Sequence, residues 1–104
     1  MKVVLSIKPE FANKIFEGTK QFEFRRTIFK QDVKTVYVYA SAPTQKVIGE
    51  FQIEKILIDT LDRLWSKTRM HAGIDEEYFY QYFGEKEQGY AIKISKPKRY
   101  KAAK

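Results

Sequence analysis

The sequence contains no cysteine, which excludes disulfide staples and thiolate metal sites. It has one histidine, His71, so a histidine-based zinc or iron site would need carboxylates to complete its ligands. No metal and no other cofactor is expected. Long apolar runs are also missing: nothing approaches the ~18–20 consecutive apolar residues of a membrane span. The opening residues Met1-Lys2-Val3-Val4-Leu5-Ser6-Ile7-Lys8 form too short an apolar stretch for a signal sequence, and no small-residue cleavage site follows. The expectation is a soluble, cytoplasmic protein without a membrane partner. Nucleophile elbows, phosphate-binding loops and paired-carboxylate motifs are absent as well.

Nor is there a repeat, a low-complexity tract or an internal linker. The 104 residues fit one domain, and a chain of this size buries roughly 65% of its unfolded surface, enough for one modest core. The expected division is a domain over 1–96 and a basic tail over 97–104.

Charge is plentiful and uneven. The net charge is +7. Residues 1–50 hold nine basic and five acidic groups, residues 51–92 five and eight, and residues 93–104 six and none. A positive field at both ends of the chain suits phosphate backbones; a solvated face with a basic tail accounts for it equally well.

Periodicity outlines the elements. Lys2 to Ile7 reads as a strand. Pro9 opens a helix whose apolar face is Phe11, Ala12, Ile15 and Phe16, and Gly18 closes it. Phe22-Glu23-Phe24-Arg25 alternates as a strand, and Val36 to Ala40 forms another, with Tyr37 and Tyr39 on one face and the valines on the other. Lys46 to Ile58 reads as one long strand whose apolar parity switches around Gly49, a sign of a bulge or bend. Thr60 is placed to cap a second helix bearing Leu61, Leu64, Trp65 and Thr68, with Trp65 in the core. Asp75 is placed to cap a third, with Ile74 and Phe79 at hydrophobic-staple spacing and Tyr78, Phe79, Tyr82 and Phe83 as its buried face. Gly89 to Ile94 returns as a strand. The order β-α-β-β-β-α-α-β predicts an α+β fold: a small barrel of about five strands, mixed or antiparallel, with about three short helices packed outside.

The stretch that points beyond fold is Gly18-Thr19-Lys20-Gln21-Phe22-Glu23-Phe24-Arg25, which reads G-x-K-x-x-E-x-R. It places a lysine, a glutamate and an arginine beside two aromatic rings. Glu23 and Arg25 are i, i+2 neighbours on one strand face. Lys20 joins them only where the strand begins after Lys20; in an unbroken strand it points the other way.

Together with Tyr39-Ala40-Ser41-Ala42-Pro43 and Val47-Ile48-Gly49-Glu50-Phe51, this run resembles the ASCH domain of the PUA-like superfamily. The resemblance extends from about Ser6 to Ile94. It implies a PUA-like pseudo-barrel with a cleft beside its helices, and RNA as the ligand of that cleft. Some similar branches are enzymes, one removing an acyl group from a modified cytidine and another cleaving RNA. The deacylating branch resembles this chain at the lysine but carries threonine where this chain has Glu23, which counts against deacylation here.

Under that resemblance the site residues are Lys20, Glu23, Arg25, the turn residues Ser41, Ala42 and Pro43, and Tyr39 as a stacking ring. Lys20 and Arg25 would meet phosphate or base edges, and Glu23 would orient the arginine or accept from an exocyclic amine. Lys93, Lys96, Lys98 and Arg99 would extend the basic footprint. Simpler readings stand beside these: Lys20 as a cation at a helix C-terminus, Glu23–Arg25 as a structural ion pair, residues 41–44 as an ordinary turn, the tyrosines as packing, and His71 as a surface or capping residue. Three functions follow: a module binding RNA or a nucleotide-like ligand; a small hydrolase on modified nucleosides or RNA, with Lys20 and Glu23 as its acid–base pair; or an interaction subunit with a protein partner.

Overall fold

Among the described residues the chain forms five strands and three α-helices. The computed structural model describes residues 1–102. The elements are β1 (Lys2–Ile7), α1 (Pro9–Glu17), β2 (Phe22–Arg25), β3 (Thr35–Ala40), β4 (Lys46–Thr60), α2 (Leu61–Thr68), α3 (Glu76–Phe83) and β5 (Gln88–Arg99). A single 3-10 turn, Arg69–His71, extends α2. Among the described residues no helix is long and apolar enough to cross a membrane.

All five strands form one sheet in the order β1-β3-β4-β5-β2. β1 and β3 are parallel; the other pairs are antiparallel. The sheet curls into a half-barrel because β4 is long enough to serve two neighbours: it pairs with β3 over its first half and with β5 over most of its length. Closure stops short, since β1 and β2 are the two edges.

The parity switch around Gly49 is a bulge. Val38 pairs with Gly49 and Tyr39 with Val47, so Ile48 is the extra residue. Glycine is required there because a Cβ would collide with the Phe16 ring and the Lys98 carbonyl oxygen. The β4–β5 pairing shifts register twice more, between Glu50 and Gln52 and between Ile53 and Lys55; the latter moves Leu57 to the face opposite Ile53, against the second cluster, and leaves Ile56 and Ile58 exposed.

Two apolar clusters lie on opposite faces of the sheet, with the β5 neighbours Ile92 and Ala91 divided between them. Ala12 and Ile15 of α1 pack on Ile7, Val36, Val38, Phe51 and Ile92. Leu64, Phe79 and Phe83 of α2 and α3 pack on Phe22, Phe24 and Ala91. Trp65 is half-buried against the second cluster, its ring 5.0 Å from that of Phe79.

The helix ends follow their sequence signals, with one exception. Gly18 ends α1 at φ 89°, its N–H bonded to the Ile15 carbonyl oxygen. The Asp75 carboxylate accepts from the Tyr78 N–H at 2.8 Å, capping α3. Thr60 occupies the cap position of α2, but its side chain makes no capping bond; its own N–H instead donates to the Asp59 carboxylate.

At the C-terminal end β5 runs through Arg99, and the Tyr100 N–H bonds the Ile48 carbonyl oxygen, so pairing passes the boundary expected at residue 96. Arg99 reaches Asn13 and lies over the Phe16 ring. The last two residues of the anticipated tail lie outside the described residues.

Candidate functional site

The edges β1 and β2 do not pair, and a cavity of about 180 Å³ lies between them. β1 and the residue after it supply Ser6, Ile7 and Lys8; the β2 side supplies Lys20, Glu23, Phe24 and Arg25. Phe11 of α1 closes one wall, and Ile74, Tyr78 and Tyr82 close another. The three charged residues of the G-x-K-x-x-E-x-R run therefore share one aromatic-walled space.

Lys20 enters that space because β2 begins only at Phe22. The preceding residues belong to the end of α1: the Lys20 N–H donates to the Lys14 carbonyl oxygen. Gln21 then ties this corner down, its N–H donating to the His71 carbonyl oxygen and its own carbonyl accepting from the Ile94 N–H.

The Lys20 side chain is only 2% exposed. Its Nζ donates to the Ala72 carbonyl oxygen at 2.8 Å and stands 5.0 and 5.4 Å from the ring centres of Phe24 and Phe11. Such cation–π contacts and one strong hydrogen bond replace part of the lost hydration. Burial nevertheless pulls the ammonium down to about 8; Glu23 opposes this shift and Lys14 adds to it.

Lys14 has a parallel role. Its Nζ donates to the Gly73 carbonyl oxygen at 3.2 Å. Three successive carbonyls, of His71, Ala72 and Gly73, thus accept from Gln21 N–H, Lys20 Nζ and Lys14 Nζ. Gly73 makes the close fit possible: it sits at φ 71°, and a Cβ there would press into Cβ and Cγ of Lys20. The clamp holds the segment that carries Ile74 into the cavity wall.

Glu23 is 7% exposed and lines the cavity. Burial pushes its carboxyl above the usual carboxylate range, against the pull of Lys20 and Arg25. Arg25 Nη1 approaches Glu23 Oε2 at 3.5 Å. This is a long contact, and the Arg25 side chain is 30% exposed, so the pair adds no more than about 1 kcal/mol. Arg25 thus sits at the mouth with donors to spare, while Lys20 and Glu23 sit inside. Tyr82 lies close enough for both Glu23 and Arg25 to act on its phenol, which burial raises. At the rim, Lys8 Nζ lies 5.3 Å from the Tyr78 ring centre.

Other sequence-predicted residues lie elsewhere. The Ser41 N–H donates to the Ile7 carbonyl oxygen at 3.0 Å, so the turn abuts the end of β1, and the Ala42–Pro43 peptide is cis. Yet Ser41, Ala42 and Pro43 do not line the cavity. Tyr39 pairs with Ser6 and Val47 and faces away from the buried valines, also outside the cavity. His71 is exposed and takes part through its backbone carbonyl. Among the described residues no three histidine, aspartate or glutamate side chains cluster to hold a metal ion.

The sequence reading missed Lys14, Ala72, Gly73, Ile74 and Lys8 as parts of the site. It placed Phe11, Tyr78 and Tyr82 in the core, where helical spacing puts them; the two tyrosine hydroxyls were the only signal of a wetter wall.

The chain is similar in sequence and fold to known proteins. The family model described as "ASCH domain" matches residues 5–98. An ASCH domain-containing ribonuclease of Zymomonas mobilis is 34% identical over 92 residues, covering 88% of this chain and 62% of that protein. The ATP synthase subunit alpha of Ureaplasma parvum is 31% identical over 103 residues, 98% of this chain but 13% of that protein. The chain thus spans less than two thirds of the length of either relative. The crystal structure of ASCH from Zymomonas mobilis superposes with a TM-score of 0.87 at 32% identity, over 92% of this chain and 68% of that one.

Proposed function

The chain belongs to the ASCH domain family, and on that premise we propose that it binds single-stranded RNA, with one nucleotide seated in the cavity between β1 and β2. The observation that carries this reading is the convergence of Lys20, Glu23 and Arg25 in one aromatic-walled space at the unpaired edges of the sheet. A volume of about 180 Å³ lies below the ~300–1,000 Å³ of a drug-sized pocket, so it suits one base or sugar rather than a longer piece. Arg25 at the mouth and Lys8 at the rim suit the phosphates on either side. The kinship with a protein named as a ribonuclease supports RNA over other polyanions.

The test is titration of a labelled 12-nucleotide single-stranded RNA at several salt concentrations. Affinity is expected to fall with salt and to weaken in Arg25→Ala and Lys20→Met. Salt-independent binding, or wild-type affinity in both variants, contradicts the reading.

One observation favours a second reading, in which the bound RNA is cut. Burial raises the Glu23 carboxyl and lowers the Lys20 ammonium, bringing a base and an acid toward neutral pH from opposite sides. Glu23 would take the proton of a ribose 2′-hydroxyl as its oxygen attacks phosphorus. The bond from phosphorus to the 5′-oxygen would break, and Lys20 would protonate that oxygen. The products are a 2′,3′-cyclic phosphate and a 5′-hydroxyl. Incubation with RNA and mass spectrometry of the ends checks this: cyclic phosphates formed by wild type and not by Lys20→Met support it, and intact RNA excludes it.

A further inference from the structure

The face of the sheet opposite α1 carries a second feature that the cavity does not use. Register aligns Val4, Tyr37, Glu50 and Lys98 in one row across β1, β3, β4 and β5. Tyr100 follows Lys98 on the same side, and these residues line a groove of about 570 Å³. Arg99, between them, turns instead toward α1, where it reaches Asn13. Val4 is 58% exposed, and neither apolar cluster includes Val4, Tyr37 or Tyr100.

We infer that this groove is a second binding site for single-stranded RNA, where bases stack on Tyr37 and phosphates meet Lys2 and Lys98. Charge selects this occupant. At the groove two ammonium groups, Lys98 in its lining and Lys2 beside the Tyr37 ring, stand against one carboxylate. The carboxylate in the row is Glu50, and it is engaged: its Oε1 accepts from the Tyr100 hydroxyl at 2.8 Å. Lys2 Nζ already rests 5.6 Å from the Tyr37 ring centre, covering the ring. A base arriving on that ring displaces the ammonium, which then lies beside the phosphate of the same nucleotide. An apolar protein partner would have to bury Lys2, Lys98 and Glu50 together, which is costly.

The inference rests on the RNA reading of the cavity and extends it: β1 borders both sites, with Val4 at the groove and Ser6 and Ile7 at the cavity. The two parts fail separately. The probe is a 12-nucleotide oligouridylate, with a 4-thiouridine version for ultraviolet cross-linking. Tyr37→Leu is expected to weaken binding about tenfold, the effect of losing one base–ring stack. Lys98→Ala is expected to reduce the slope of log affinity against log salt by about one. Cross-links should map to Tyr37 or Tyr100. Wild-type affinity in Tyr37→Leu with cross-links confined to cavity residues overturns the groove and leaves the cavity reading standing. Weakening in Tyr37→Leu but not in Arg25→Ala supports the groove and removes the cavity. No binding by wild type overturns both and leaves the face to a protein partner. If Tyr37→Leu does not fold, the Lys98→Ala slope and the wild-type cross-links decide.

Discussion

Lys20 and Ala72 are 52 positions apart, and the Nζ of the first donates to the carbonyl oxygen of the second at 2.8 Å inside the fold. This bond joins the charged run after α1 to the segment between α2 and α3. With Lys14 on Gly73 and Gln21 on His71, it makes the cavity wall and the buried cation one unit. A perturbation on either side is therefore felt on the other.

Gly73 is the sensitive point of that unit. Alanine there meets two penalties: a left-handed φ of 71° and a Cβ pressed into the Lys20 side chain. We expect Gly73→Ala to lower stability by about 1–3 kcal/mol and to weaken RNA binding by moving Lys20. Gly18→Ala has a similar φ but open space around its Cβ, so it should cost only about 1–2 kcal/mol and leave binding intact. Chemical denaturation beside RNA titration separates the two.

Lys20 should also be visible in the pH dependence of stability. Its folded pKa of about 8 lies below its unfolded 10.5, so the unfolded chain binds more protons between those values. Stability contributed by this group therefore rises with pH across that window, having been penalised below it. At ~1.4 kcal/mol per unit, the wild type should gain on the order of 3 kcal/mol relative to Lys20→Met between pH 8 and 10.5. Parallel curves for the two proteins would remove the buried-cation account.

Glu23 supports the charge on Lys20, opposing the effect of burial. Replacing it with glutamine should move the Lys20 titration below about 8. The same variant should gain on the wild type as pH rises above 4.5, because the fold disfavours the ionised Glu23 carboxylate. The carbon-13 shift of Lys20 Cε followed against pH reads the first effect. An unchanged midpoint would mean that the two groups do not sense each other.

Two helix caps that look alike in sequence should behave differently. Asp75→Ala removes a 2.8 Å bond to the Tyr78 N–H and should cost about 1 kcal/mol. Thr60→Ala removes no capping bond and should change stability by less than about 0.5 kcal/mol. Thermal unfolding of the two variants gives the comparison.

Periodicity explains what could be read without coordinates. Alternation located the strands, and the break in parity at Gly49 marked the bulge at Ile48. Gly18 and Asp75 announced their helix ends because those residues act locally. The Lys20–Glu23–Arg25 cluster was legible once β2 was taken to begin after Lys20. The parallel pairing of β1 with β3 was not legible, since neither strand encodes its neighbour. Nor was the clamp on residues 71–73, because it is made of backbone carbonyls, which every residue possesses. Tyr78 and Tyr82 looked like core because helical spacing marks a buried side without saying whether packed chain or an open cavity lies beyond it.

The measurement that tests the central claim most directly is nuclear magnetic resonance of the isotope-labelled protein titrated with a short single-stranded RNA. Signals of Lys20, Glu23, Arg25 and Tyr78 should shift together and saturate, because one nucleotide enters the space they line. Unmoved signals at those four positions, with RNA bound elsewhere or not at all, would contradict the account.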